Sequence, residues 1–245
     1  RPYPVAFVLV IIPLMVILFA LGLLDQYAWL RSNPDLPVLL QRLGVVFSLI
    51  AGVLMAFERD LGRILGYAVL TETGFTILAV GLPDGYSLSA AMILPRVLAF
   101  GIWALALTLI KDRHGDLQFH TLYGSARSMP VTSMALLVGQ FSIAGFPLLG
   151  GFPVRLALWD STATHSGWIA LGILFATIGM FISGLRTLTV LVTGDEETPW
   201  KITESWAVNL FLGLGILSLI MIGILPQIFL PVMINILRTF PQLFQ

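Results

Sequence analysis

The sequence predicts an all-α, polytopic membrane helix bundle, and three observations carry that reading. Of the 245 residues, 58% are hydrophobic and only 11% are charged, with a mean hydropathy of +0.95, where a soluble domain carries about a quarter charged residues. Apolar runs of membrane-crossing length recur from end to end, roughly 20 residues being enough to span the hydrocarbon. No strand-like alternation of apolar and polar residues competes with them. About seven transmembrane helices are expected, near 4–24, 37–57, 62–82, 87–110, 131–158, 167–193 and 205–236. They form one transmembrane domain over 1–245.

Composition also excludes whole classes of function. Lysine plus arginine equals aspartate plus glutamate at 13 each, and no basic face forms, which argues against nucleic acid. The absence of cysteine removes thiolate-ligated iron–sulfur clusters, cysteine zinc sites and disulfides. His114, His120 and His165 fall in polar connections and not in apolar interiors, which argues against haem ligation inside the membrane. No GxGxxG, Walker or HExxH pattern occurs. No cofactor is expected. Residue 1 is Arg, and the first run lacks a basic n-region and a cleavage site, so the start reads as a cut end and not a signal peptide.

Each element has its own signal. Pro13 predicts a kink in the first run, and Asn33-Pro34-Asp35 a polar turn after it. The second run ends in a short charged hairpin, Glu58 to Arg63, and the third, which contains Glu72, is closed by Pro83-Asp84-Gly85. The fourth contains Pro95-Arg96 and leads into a longer loop, Lys111 to Pro130. The fifth is broken. Gly145, Pro147, Gly150, Gly151 and Pro153 interrupt it, with Arg155 just behind. Proline removes a backbone donor and clashes with the preceding turn, and a broken span survives only where protein or a water-filled cavity satisfies the freed groups. The sixth run ends near Arg186 and the acidic loop Asp195-Glu196-Glu197, and Pro226 and Pro231 bend the seventh. Arg1, Arg59, Arg63, Lys111, Arg113, Arg127 and Lys201 share one side, with Arg186 close to it, against Arg31, Arg42 and Arg238 on the other. The positive-inside rule puts the richer side, and the N-terminus, in the cytoplasm.

Three charges are buried by this reading. Glu72 lies about ten residues into its helix, hence ~15 Å deep, and Arg96 lies as deep from the opposite face on the next helix. Both approach the midplane of a ~30 Å core, so antiparallel neighbours can bring them to one level. The pair reads either as a proton relay or gate, or as a static lock between helices. Arg155 reads either as an interfacial snorkelling arginine or, if the segment unwinds at Gly145–Gly151, as a mid-membrane charge. Arginine holds its proton too tightly to pass it on, so it sets the charge around a site and does not carry the proton. Tyr67, Gln140 and Ser142 read as helix–helix ties.

Several motifs resemble one family. Asp60-Leu61-Gly62-Arg63-Ile64-Leu65-Gly66-Tyr67-Ala68 resembles the D-[LI]-K-R-[LIV]-L-A-Y-S segment of antiporter-like membrane subunits. These occur in proton-pumping NADH–quinone oxidoreductase (respiratory complex I), membrane-bound hydrogenases and Mrp-type cation/proton antiporters. Leu122-Tyr123-Gly124-Ser125-Ala126-Arg127-Ser128-Met129-Pro130 is similar to that family's L-x-G-L-x-[RK]-x-M-P entry to its twelfth helix, and Ser142 to Arg155 to its L-[SA]-G-[LI]-P-[PL]-x-x-G-F-x-x-K break. Pro4-Val5-Ala6, Leu185-Arg186 and Gly223-Ile224-Leu225-Pro226 resemble further marks of its eighth, thirteenth and last helices. The resemblance implies the C-terminal half of such a subunit, with a five-helix inverted repeat over 37–193 flanked by one helix on each side.

Departures from the family pattern shape the functional expectation. Arg155 stands where the family has lysine, Val10 or Leu14 where the eighth helix has lysine or histidine, Leu94 and Leu98 at histidine positions, and Gly62 at the motif lysine. The expected function is therefore proton translocation coupled to NADH/quinone-type electron transfer in a respiratory complex. In it Glu72 titrates, Arg96 and Arg155 set its charge environment, and Gly145–Pro153 serves as the hinge. The expected partners are other membrane subunits of a respiratory or antiporter complex and the lipid of a bacterial inner membrane. Two other readings stand beside it: a structural subunit that no longer conducts, and an Mrp-type cation/proton antiporter subunit.

Overall fold

A computed structural model describes residue 27 and residues 33–83, 85–194, 204–229 and 231. The expected first span with its Pro13 kink, most of the link before Asn33, and the acidic loop Asp195–Glu197 lie outside the described residues. Seven α-helices follow within them: α1 (Asp35–Phe57), α2 (Leu61–Val80), α3 (Gly85–His114), α4 (Pro130–Ala144), α5 (Phe152–His165), α6 (Gly167–Val192) and α7 (Trp206–Ile224). No strand occurs among these residues beyond one isolated bridge.

Five of the helices, α1, α2, α3, α6 and α7, are long and apolar enough to cross a membrane. The protein is a multi-pass membrane protein. At 15 and 14 residues, α4 and α5 each reach only about 22 Å at 1.5 Å per residue, short of a ~30 Å core. Together they make one crossing. Just before α4, the Gly124 amide donates to Val190 at the end of α6, and α5 hands over to the start of α6 through Ser166 alone. The fifth run is therefore a discontinuous helix, as its glycines and prolines require.

The charged connections form caps and ties. Asp60 begins α2 in extended backbone and its carboxylate accepts the Arg63 amide, an N-cap that satisfies one of the orphan donors of a first turn. On either side of it the Leu61 amide donates to Leu117 and the Phe119 amide to Arg59, which ties the α1–α2 hairpin to the loop before α4. The N-terminus of α4 has no cap of its own at Met129. Glu204 supplies it from the approach to α7, accepting the Val131 and Thr132 amides at 3.2 and 2.7 Å. At the other end of α7, the helix stops at Ile224, before Pro226.

Side chains sort by face. Trp103, stacked on Phe100 at 5.9 Å, joins Phe75, Leu107, Leu136 and Leu158 in the buried centre. The outer faces of α1, α6 and α7 keep large apolar residues exposed, as a lipid-facing surface does. Trp168 starts α6 at one face and Trp206 starts α7 at the other, 84% and 78% exposed, in the manner of interfacial aromatic anchors. Between α1 and α6 the backbones nearly touch. A Cβ on Gly179 would come within 2.1 Å of the Gly52 carbonyl oxygen, the small-residue contact that lets membrane helices approach closely.

Loss of the borrowed cap is measurable. Glu204→Ala is expected to destabilise the fold by about 1 kcal/mol, and Glu204→Gln by less, in denaturant unfolding of the detergent-solubilised protein. Equal stability of Glu204→Ala and the parent would show that the cap contributes nothing.

Candidate functional site

The break between α4 and α5 is built residue by residue. Gly145 ends α4 in the left-handed region at φ 80°, where a side chain would be strained and a Cβ would come within 2.8 Å of the Arg155 side chain. In an unbroken helix the Ile143 carbonyl would accept from residue 147. That residue is Pro147, which has no N–H, so the carbonyl is orphaned. The Gly151 amide, ahead of α5, donates to the Ser142 hydroxyl at 3.2 Å. Pro153 sits in the first turn of α5, where a missing donor costs nothing. From behind, Gly223 of α7 backs the break so closely that a Cβ there would lie 2.4 Å from the Leu148 carbonyl oxygen.

Three charged side chains converge beside this break, all at most 7% exposed: Glu72 from α2, Arg96 from α3 and Arg155 from α5. Arg96 Nε donates to Glu72 Oε2 at 3.0 Å and its Nη2 lies 2.9 Å from the same oxygen. The same Nη2 also reaches the Glu72 backbone carbonyl at 3.0 Å. Arg155 Nη2 donates to the other carboxylate oxygen, Oε1, and to the orphaned Ile143 carbonyl at 2.8 Å. Its guanidinium carbon stands 3.9 Å over the Phe75 ring, one helical turn from Glu72, a cation–π contact that strengthens when dry. Each carboxylate oxygen therefore has its own arginine.

The triad is not neutral. One carboxylate and two guanidiniums leave a formal charge of +1, and a buried charge is tolerated only when paired or hydrogen-bonded. Part of the compensation is backbone. The C-terminus of α4, which carries roughly half a negative charge, meets Arg155 through the Ile143 carbonyl. Arg155 Nε and Nη1 donate to no atom among the described residues. A cavity of about 20 Å³ touches Glu72, Arg96, Ser142, Gly151 and Arg155, the size of a single water molecule.

The sequence expectations map onto this site unevenly. Glu72 and Arg96 meet at one level, as their depths in antiparallel helices require. Arg155 is buried inside the bundle against Glu72 and does not lie exposed at its edge. Its direct contact with Glu72, and the role of Phe75, were not legible. The signal that existed was Pro147, four residues after Ile143, because an orphaned carbonyl demands a donor. Gln140 ties α4 to α6 through Ser183 at 3.2 Å, Ser142 ties the break to α5, and Tyr67 packs half-buried against the core.

Removing the carboxylate alone is expected to be worse than removing the whole triad. Glu72→Leu strands two guanidiniums and should cost about 3–5 kcal/mol, whereas Glu72→Leu, Arg96→Met and Arg155→Met together should recover most of that loss. Thermal unfolding of the three-residue variant at or below the midpoint of the single variant would refute the charge-balance account.

The chain is similar to known membrane proteins in sequence and fold. The family model for NADH:quinone oxidoreductase/Mrp antiporter transmembrane regions matches residues 1–183. The chain is 27% identical over 241 residues to NADH-quinone oxidoreductase subunit N of Francisella tularensis subsp. holarctica, covering 96% of this chain and 50% of the relative. In fold it matches a chain of the membrane-bound sulfane sulfur reductase, an archaeal respiratory membrane complex, with a TM-score of 0.78 at 21% identity over 89% of this chain and 45% of that chain. A chain of respiratory complex I from Thermus thermophilus matches with a TM-score of 0.70 at 22% identity, over 86% of this chain and 45% of that one. The chain spans half or less of the length of the curated relatives it matches first, 38%, 50% and 43%.

Proposed function

The chain belongs to the NADH:quinone oxidoreductase/Mrp antiporter transmembrane family, and from that premise we propose that it is a proton-translocating membrane subunit of a complex I-type respiratory complex. The observation that carries the reading is the Arg96–Glu72–Arg155 triad against a broken helix. Ionisable groups facing the interior of a membrane bundle mark ion and proton pathways, and discontinuous helices are where transporters built from repeats place their sites. Residues 37–193, from α1 to the end of α6, are the five-helix repeat that houses it.

Glu72 is the proton-carrying group, since it is the only buried carboxylate among the described residues. Arg96 and Arg155 act as its counter-charges, arginine being the side chain least suited to give up a proton. Arg155 stands directly behind Gly145, Pro147, Gly150 and Gly151, with Pro153 at the head of its own helix. A shift of α5 against α4 at this hinge withdraws Arg155 from Oε1 and opens that oxygen to a proton. Its return, with two guanidiniums again facing the carboxyl, expels the proton. The triad thus converts a movement of the break into a change of protonation.

Charge distribution supports the orientation. Arg59, Arg63, Lys111, Arg113, Arg127 and Arg186 cluster at the end where α1, α3 and α6 finish, and among the described residues only Arg42 lies toward the other end, once the buried Arg96 and Arg155 are set aside. The richer end faces the cytoplasm, in a bacterial cell membrane, with the N-terminus on the same side. Other membrane subunits of the complex are the partners, as in the assemblies to which the similar chains belong.

Glu72→Gln is expected to abolish coupled pumping in the reconstituted complex while electron transfer and assembly persist. Arg155→Lys should retain pumping and Arg155→Met should lose it. An unchanged proton-to-electron stoichiometry in Glu72→Gln overturns the proposal. A second reading, a structural subunit that no longer conducts, is favoured by the full occupancy of both carboxylate oxygens. It expects the neutral three-residue variant to assemble and pump at the parent stoichiometry, the opposite of what the leading reading expects.

A further inference from the structure

A second cavity, remote from the triad, opens at the end of the bundle where α1 and α6 finish. Its volume is about 530 Å³, and Arg59, Gln118, His120, Tyr123, Arg186 and Thr189 line it over a floor that includes Phe119. Among the described residues no carboxylate lines it. Arg186 is held in place from both sides, donating through Nη1 to the last-turn carbonyl of Ala56 and lying 5.4 Å over the Phe119 ring. The Arg59 guanidinium is exposed and has no hydrogen-bond or ion-pair partner among the described residues. Two arginines, one prepositioned and one free, therefore share a roomy recess at the end of the bundle.

The surface next to the recess is apolar. One turn deeper along α6, Leu185 lies below Thr189 and Ile182 below Arg186, on the same helix face by their spacing, and they are 55% and 43% exposed. On the neighbouring α1, Val53 and Phe57 are exposed as well. An anion bound by the arginines would thus sit at the head of a hydrophobic wall that runs into the bilayer. We propose that this cavity seats the phosphate-bearing headgroup of an anionic phospholipid, with its acyl chains lying along the exposed face of α6. Arginine suits the task, because its planar fork pairs with phosphate oxygens two at a time, and basic recesses between membrane helices are the usual seats of such headgroups. Inorganic phosphate shares the charge chemistry but makes no use of the apolar wall.

The test measures lipid retained by the full chain, purified in detergent and exchanged through mixed micelles of phosphatidylglycerol and phosphatidylcholine. Bound lipid is counted by mass spectrometry. The expected result is retention of phosphatidylglycerol over phosphatidylcholine, lowered about fivefold by Arg59→Gln, restored in part by Arg59→Lys and weakened by high salt. Arg59 is the deciding position, because Arg186→Gln also releases the Ala56 carbonyl and can disturb the fold. Equal retention of the two lipids, or an unchanged count in Arg59→Gln, overturns the proposal. Binding of inorganic phosphate that depends on Arg59 without any lipid preference identifies a simple anion site and overturns it too. So does a cross-link from Tyr123 to a neighbouring subunit, in the assembled complex, that leaves no lipid bound.

Discussion

One carboxylate held between two arginines is the interaction on which the rest of this structure depends. Glu72, Arg96 and Arg155 come from three helices, and the single carboxylate is what the two guanidiniums have in common. A charge removed from water costs several kcal/mol even after relaxation, and attraction offsets that only when the remaining donors and acceptors are also met. Here backbone meets part of that demand: the Glu72 carbonyl takes one arginine and the Ile143 carbonyl takes the other, while Arg155 Nε and Nη1 find no partner among the described residues. The Ile143 contact exists only because Pro147 leaves Ile143 unbonded. The helix break and the charge cluster therefore require each other.

Around that centre the bundle divides into a fixed end and a broken middle. At the fixed end, the Asp60 cap, the bridge between Asp60 and Gln118, the Glu204 cap on α4 and the Gly124–Val190 hydrogen bond lock connections to helix termini. In the middle, α4 stops and α5 restarts across a short turn held by the Gly151–Ser142 hydrogen bond, by backbone bonds from the Phe146, Leu149 and Phe152 amides, by the Phe146 ring against Phe141 and Phe181, and by the back of α7. A movement confined to the break would leave the caps untouched while changing what faces Glu72. The proposed translocating role rests on that division, which follows from where the prolines and glycines lie.

Legibility from sequence followed the physics of each feature. Membrane spans were readable because the bilayer sets a length and a polarity that few other contexts demand. The broken crossing was readable because proline and glycine act on the backbone locally, whatever surrounds them. The Glu72–Arg96 contact could be anticipated from depth, since consecutive antiparallel helices share one axis direction and a fixed rise per residue. Arg155 could not be treated this way. Beyond an unwound segment the direction of the next helix is no longer fixed by counting, and Arg155 remained balanced between interface and core. The basic recess at Arg59 and Arg186 was equally hidden, because it joins residues more than a hundred positions apart through loop packing.

The sequence by itself determined that the chain is a membrane bundle, where its crossing breaks, and that Glu72 and Arg96 lie at one depth. These depend on hydrophobic length, backbone chemistry and helical rise, all of which are local. Only the tertiary structure decided that Arg155 turns inward onto the same carboxylate, with Phe75 beneath it and the Ile143 carbonyl beside it. The reason is that a guanidinium chooses between interface and core by whether packed neighbours can replace its water. Those neighbours come from helices that the order of residues does not bring together.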